Sequence, residues 1–148
     1  MSFPELNADS IVIGAVVEDW RAAVREAGAA LTRSGSTLPA YAEEMVRMID
    51  EHGPYVVIAP GLALAHARPG PEVIKTGLAI VTLDTPVNFG HPHNDPVSVV
   101  LGLAVASAEE HLASVADLAN VFNDDRAIPA LANAKTVEEV QRIMGVPS

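Results

Sequence analysis

The run from Val97 to Ala106 is apolar on both of its alternating faces. A strand that meets solvent on one side alternates polar and apolar residues, so this pattern belongs to a central strand covered by helices above and below. That requirement points to an α/β fold of three layers. The flanking segments supply the parts. Ile11 to Val17 and Lys75 to Leu83 read as strands, as does Tyr55 to Ile58. Leu62 to Ala65 follows as a further extended piece after the Pro60-Gly61 bend.

Helix signals fall between these strands. Asp19 is placed to cap a helix from Trp20 to about Thr32, with Trp20, Ala23, Val24, Ala27 and Leu31 on one face and Ser34-Gly35 as its stop. Pro39 opens a second helix that turns Tyr41, Met45, Met48 and Ile49 inward and ends at His52-Gly53-Pro54. Ser107-Ala-Glu-Glu110 has the form of a capping box, followed by a helix with Leu112, Val115, Ala116, Ala119 and Phe122 inward. A short helix over 125–132 is weakened by Pro129 if that residue lies past the first turn. Thr136-Val-Glu-Glu139 caps a last helix reaching Met144. The expected architecture is a three-layer α/β/α sandwich with a mixed sheet of four or five strands. With 148 residues it forms one domain over 1–148.

Composition narrows the chemistry. Nineteen Asp and Glu against nine Lys and Arg give a formal charge of −10. That balance argues against nucleic acid, whose phosphates need clustered cations, and against docking on an anionic membrane. The absence of cysteine removes disulfides, thiolate catalysis, zinc ribbons and iron–sulfur clusters. The first residues lack the basic start of a secretory peptide, and Val99 to Ala106, the longest apolar stretch, is far short of a membrane span. A cytoplasmic protein is expected, and its 19% charged residues, below the usual 25% or so, leave room for a homodimer face.

Histidine is the reactive group that remains. His66, in Ala65-His66-Ala67-Arg68-Pro69, sits where a strand gives way to a loop, the place where α/β sheets bind ligands. Near neutral pH much of an imidazole is a neutral nucleophile. Arg68, two residues on in extended chain, projects from the same face and suits the oxygens of a phosphoryl group. On spacing alone the pair reads first as a solvated surface His and Arg. His111 falls in the first turn of its helix, where unpaired N–H groups favour an anion, although Glu109 and Glu110 compete for that field. His91, His93 and Asp95 form a set with metal-ligand chemistry on a turn-rich loop, or residues that merely shape that turn. His52 reads as a helix-end residue, and no serine lies in a nucleophile elbow.

Three stretches together resemble a known family: Gly53 to Pro69, Thr76-Gly-Leu78, and Pro86-Val-Asn-Phe-Gly-His91 with Asn94-Asp-Pro-Val97. They are similar to the enzyme IIA domains of the bacterial phosphoenolpyruvate-dependent sugar phosphotransferase system, in the ascorbate-type branch of the mannitol–fructose class. The resemblance runs over nearly the whole chain. It implies that His66 accepts a phosphoryl group from the histidine-containing phosphocarrier protein, on Nε2, and passes it to a cysteine of a IIB component. The IIC membrane channel then delivers the sugar, ascorbate by branch. It also implies that His111 is the assisting second histidine, that Arg68 is a motif residue with a phosphate-side role, and that no cofactor or metal is needed. The acidic surface then suits a basic patch on the phosphocarrier.

Two positions depart from the pattern: Ala65 stands where proline usually precedes the histidine, and Gly70 where an acidic residue usually follows Arg-Pro. Arg47 lies near the mannitol branch's second-helix arginine without aligning to it. The alternatives from other classes are a regulatory module of the same fold, and a metal-dependent hydrolase using His66, His91, His93 and His111.

Overall fold

The computed structural model describes residues 6–145, apart from the side chains of Ala108 and His111. In chain order the strands are β1 (Ile11–Ala15), β2 (Val57–Ala59), β3 (Leu62–His66), β4 (Gly77–Val87) and β5 (Val97–Ala104). The helices are α1 (Trp20–Arg33), α2 (Ala40–His52), α3 (Ala108–Phe122), α4 (Ala127–Asn133) and α5 (Val137–Ile143). The sheet order is β1-β4-β5-β3-β2, with β1/β4 and β3/β5 parallel and β4/β5 and β2/β3 antiparallel. This is the expected mixed sheet, with β5 at its centre.

Side-chain alternation splits the core in two. On one face Ala63, Ala65, Ala79, Val81, Val100 and Ala104 pack under α1 and α2. On the other, Leu62, Leu64, Leu78, Ile80, Leu101 and Leu103 pack under α3, α4 and α5. Small residues dominate the first face, so α1 comes close to the sheet. A Cβ on Gly102 would stand 3.1 Å from Ala27 Cβ and 3.3 Å from Leu31 Cδ1. The two helices of that layer also meet tightly, because Gly28 of α1 lies against Ala42 of α2.

The caps read from sequence are formed. Asp19 Oδ1 accepts from Ala22 N–H at 2.9 Å, Ser107 Oγ from Glu110 N–H at 3.2 Å, and Thr136 Oγ1 from Glu139 N–H at 3.1 Å. Pro129 is the third residue of α4, so its missing N–H is one that a first turn leaves unpaired anyway. Trp20 packs against Phe89, ring centroids 5.8 Å apart, and joins the α1 face to the loop before β5.

Three expectations are corrected. β1 stops at Ala15 rather than Val17: Gly14 has φ 69°, gives its N–H to Thr82 Oγ1, and the register with β4 shifts there, which leaves Val16 exposed. β4 continues to Val87, taking part of the expected loop into the sheet. α3 is rolled by about one residue from the expected phase. Ser114 and Leu118 face inward with Val121 and Phe122 packed beside them, while Leu112 is 72% and Val115 38% exposed. Its sequence carries apolar residues at both phases, so periodicity did not decide between them. No helix among the described residues is long and apolar enough to cross a membrane.

Candidate functional site

His66 is the last residue of β3, in register with Leu103 of the central strand. Its place in the alternation continues the row of Leu62 and Leu64, and past it the chain leaves the sheet as Ala67-Arg68-Pro69. The ring is half-buried, and Nδ1 lies 2.9 Å from the Leu64 carbonyl oxygen. A carbonyl only accepts, so that contact places the imidazole proton on Nδ1 and the lone pair on Nε2.

Aromatic neighbours fix the ring further. Tyr55 meets His66 nearly perpendicular, with centroids 5.7 Å apart, and meets His52 in the same manner at 6.3 Å. Met48, His52, Tyr55, His66, Arg68 and Leu112 line one bowl of about 710 Å³ at this end of the sheet. Burial pushes the Tyr55 phenol up, partly offset by the nearby Arg68 guanidinium. Arg68 sits on the rim, and no carboxylate pairs with it among the described residues. The exposed Leu112 belongs to the same bowl, which explains why a leucine faces outward there.

Arg47 is placed differently. Its guanidinium bonds Glu44 Oε2 at 2.8 Å and Glu51 Oε1 at 2.7 Å, a network along the outside of α2. It lines a smaller cleft of about 280 Å³ beside Pro69 and Glu72. The His111 backbone lies in the first turn of α3, as expected, whereas its side chain lies outside the described residues.

The His91-His93-Asp95 loop stands at the opposite end of β5, roughly 20 Å along the strand from the Leu103–His66 pair. There Asp95 accepts N–H bonds from Phe89 (3.0 Å), Gly90 (2.7 Å) and His91 (3.0 Å). His91 Nδ1 accepts from the N–H groups of His93 and Asn94 at 3.1 and 3.0 Å. These side chains are engaged in holding backbone, and among the described residues no three His, Asp or Glu side chains converge as metal ligands. Asp95→Ala is expected to cost about 2 kcal/mol, since three amides lose a charged acceptor. Urea denaturation checks this, and an unchanged midpoint would contradict the structural role.

Two site residues escaped sequence reasoning as such. The sequence pattern puts Tyr55 in a strand and Tyr41 in the core; Tyr55 instead lies in the turn before β2, and Tyr41 reaches the main chain beside His66. Its hydroxyl accepts from Ala67 N–H at 3.0 Å and donates to the Leu103 carbonyl at 2.8 Å, and burial pushes its pKa up to about 12. A buried tyrosine needs a partner for its hydroxyl, which is the signal that was present.

Comparison with known proteins places the chain in a family. Residues 5–145 match the family model described as phosphoenolpyruvate-dependent sugar phosphotransferase system, EIIA 2. The chain is 36% identical over 132 residues to the ascorbate-specific PTS system EIIA component of Shigella flexneri, covering 88% of this chain and 86% of that protein. It superposes with a TM-score of 0.84 on the complex of enzyme IIA and phosphorylated enzyme IIB for mannitol from Escherichia coli. That match has 26% identity and covers 95% of this chain and 97% of the other. The nitrogen regulatory protein IIA-Ntr of Neisseria meningitidis gives 0.77 at 28% identity, covering 92% and 93%. With the family model spanning nearly the whole sequence, the chain belongs to the EIIA 2 family of the phosphoenolpyruvate-dependent sugar phosphotransferase system, whose components are phosphotransferases.

Proposed function

We propose that the chain acts as one cytoplasmic EIIA unit that carries a phosphoryl group on His66. It takes that group from the histidine-containing phosphocarrier protein and gives it to a cysteine of a IIB component. That component feeds uptake through a IIC channel, with ascorbate as the sugar on the strength of the 36% identical relative. The observation that carries this reading is the 2.9 Å contact from His66 Nδ1 to the Leu64 carbonyl at a strand end beside Arg68.

The chemistry follows from that geometry. The Nε2 lone pair attacks phosphorus, and the new N–P bond forms as the donor's N–P bond breaks. The proton stays on Nδ1 and keeps its hydrogen bond to the Leu64 carbonyl, whose dipole offsets the positive charge the ring acquires. Arg68 offsets charge on the phosphoryl oxygens, and the apolar rim of Tyr55, Met48 and Leu112 limits water at the N–P bond. In the second transfer a thiolate attacks phosphorus, the N–P bond breaks, and the neutral imidazole is restored. The donor is already activated, so positioning is the protein's main contribution.

The test is transfer from phosphoenolpyruvate through the two general phosphocarriers, followed by a chase with IIB. About one phosphoryl group per chain, drained by IIB, supports the reading, and no incorporation contradicts it. The likeness to IIA-Ntr supports a regulatory reading as the second choice. Under that reading the label would be acquired but would not drain to any IIB. His111→Ala is expected to fold normally and transfer about 100-fold more slowly, the loss of an assisting group. Single-turnover kinetics at wild-type rates would remove His111 from the site.

A further inference from the structure

The parallel pairing of β3 with β5 ends at His66 and Leu103. Its hydrogen-bond pattern is set at the other end, where Val99 N–H donates to the Gly61 carbonyl at 3.1 Å. Carried forward in steps of two residues, that pattern makes Ala67 N–H the donor due to meet the Leu103 carbonyl. Instead both groups turn to the Tyr41 hydroxyl, which accepts from Ala67 at 3.0 Å and donates to Leu103 at 2.8 Å. Tyr41 is 1% exposed, so neither backbone group has water as an alternative.

We infer that Tyr41 is a positioning residue for His66, acting by an inserted hydroxyl that parts β3 from β5 immediately after the histidine. The insertion sets where Ala67 leaves the sheet and hence where Arg68 stands relative to the ring. It also holds Leu64 to His66 in the extended form that brings Nδ1 to the Leu64 carbonyl. Without the hydroxyl, either two buried backbone groups lose their partner, or Ala67 closes onto Leu103 and draws the His66 end of the strand with it. Both outcomes displace the ring. The inference rests on the proposed role of His66 for its kinetic consequence, but its structural consequence stands apart from phosphoryl transfer.

The experiment reads the nitrogen-15 shifts of the His66 ring, which report whether Nδ1 or Nε2 carries the proton, in the unphosphorylated protein. In Tyr41→Phe the Nδ1–H form is expected to lose population to the other tautomer, and transfer to slow 10- to 100-fold, the scale of a reacting group misplaced by about 1 Å. Val46→Ala, in the same helix and also buried, serves as the control for lost stability. Measured below its melting temperature, it is expected to keep both the wild-type shifts and the wild-type rate. Wild-type shifts and rate in Tyr41→Phe, or equal changes in Val46→Ala, would overturn the inference.

Should Tyr41→Phe not fold, 3-fluorotyrosine placed at position 41 keeps the shape while weakening acceptance from Ala67. The His66 nitrogens are then expected to move together with the Ala67 amide. Movement of the amide alone would overturn the inference. Because the ring signature needs no phosphoryl donor, failure of the transfer reaction and failure of the positioning role are separately visible.

Discussion

His66→Ala is expected to reduce phosphoryl incorporation from phosphoenolpyruvate to background, a loss of roughly 10⁴-fold or more, as when a covalent nucleophile is removed. The fold should survive. The ring is half-buried, and its hydrogen bond to the Leu64 carbonyl is worth about 1 kcal/mol. His91→Ala is the matched control, because that imidazole holds loop backbone at the far end of β5 and should leave labelling unchanged. Gel or mass-spectrometric detection of the phosphorylated chain reads both variants in one reaction. Equal labelling of His66→Ala and wild type would mean that the nucleophile is elsewhere.

Gly28→Ala should be strongly destabilising, although alanine is the better helix former by about 1 kcal/mol. A Cβ at position 28 would stand 2.4 Å from Ala42 Cβ and 2.8 Å from Ala42 Cα, so relief requires moving α2 rather than a side-chain rotamer. Overpacking of this kind costs about 1–3 kcal/mol and occasionally more, and a clash against backbone belongs at the upper end. A net loss of about 3 kcal/mol corresponds to a fall in melting temperature of roughly 10 °C for a chain of this size. Calorimetry checks it, and a melting temperature at or above wild type would show that the α1–α2 crossing is more pliable than its geometry. Because α2 carries Tyr41, Met48 and His52, some loss of transfer rate should accompany the loss of stability.

What the sequence disclosed and what it concealed divide along physical lines. The doubly apolar Val97 to Ala106 run placed the central strand, and side-chain oxygens at Asp19, Ser107 and Thr136 placed three helix starts, because each signal is local. The His66 position at a strand end was legible for the same reason. The phase of α3 was not: Leu112, Val115 and Leu118 occupy different sides of one helix, and only packing against the sheet selects Leu118. The roles of Tyr41 and Asp95 were hidden because they depend on partners brought by the fold. Tyr41 bonds Leu103 across 62 positions of chain. Asp95 reads as a ligand until the turn shows three amides converging on its carboxylate. His52 looked like a helix end and is one, yet the turn after it also sets it beside Tyr55 at the bowl.

The central claim concerns one atom, Nε2 of His66, and it is tested most directly by locating the phosphoryl group on the phosphorylated protein. Correlation of phosphorus-31 with the ring nitrogens of selectively labelled histidine distinguishes the two nitrogens and, with His66→Ala and His111→Ala as references, the two residues. The Nδ1–H contact with Leu64 predicts a single phosphorus signal coupled to Nε2 of His66. A signal coupled to Nδ1 of that ring, or to any nitrogen of His111, would contradict the account.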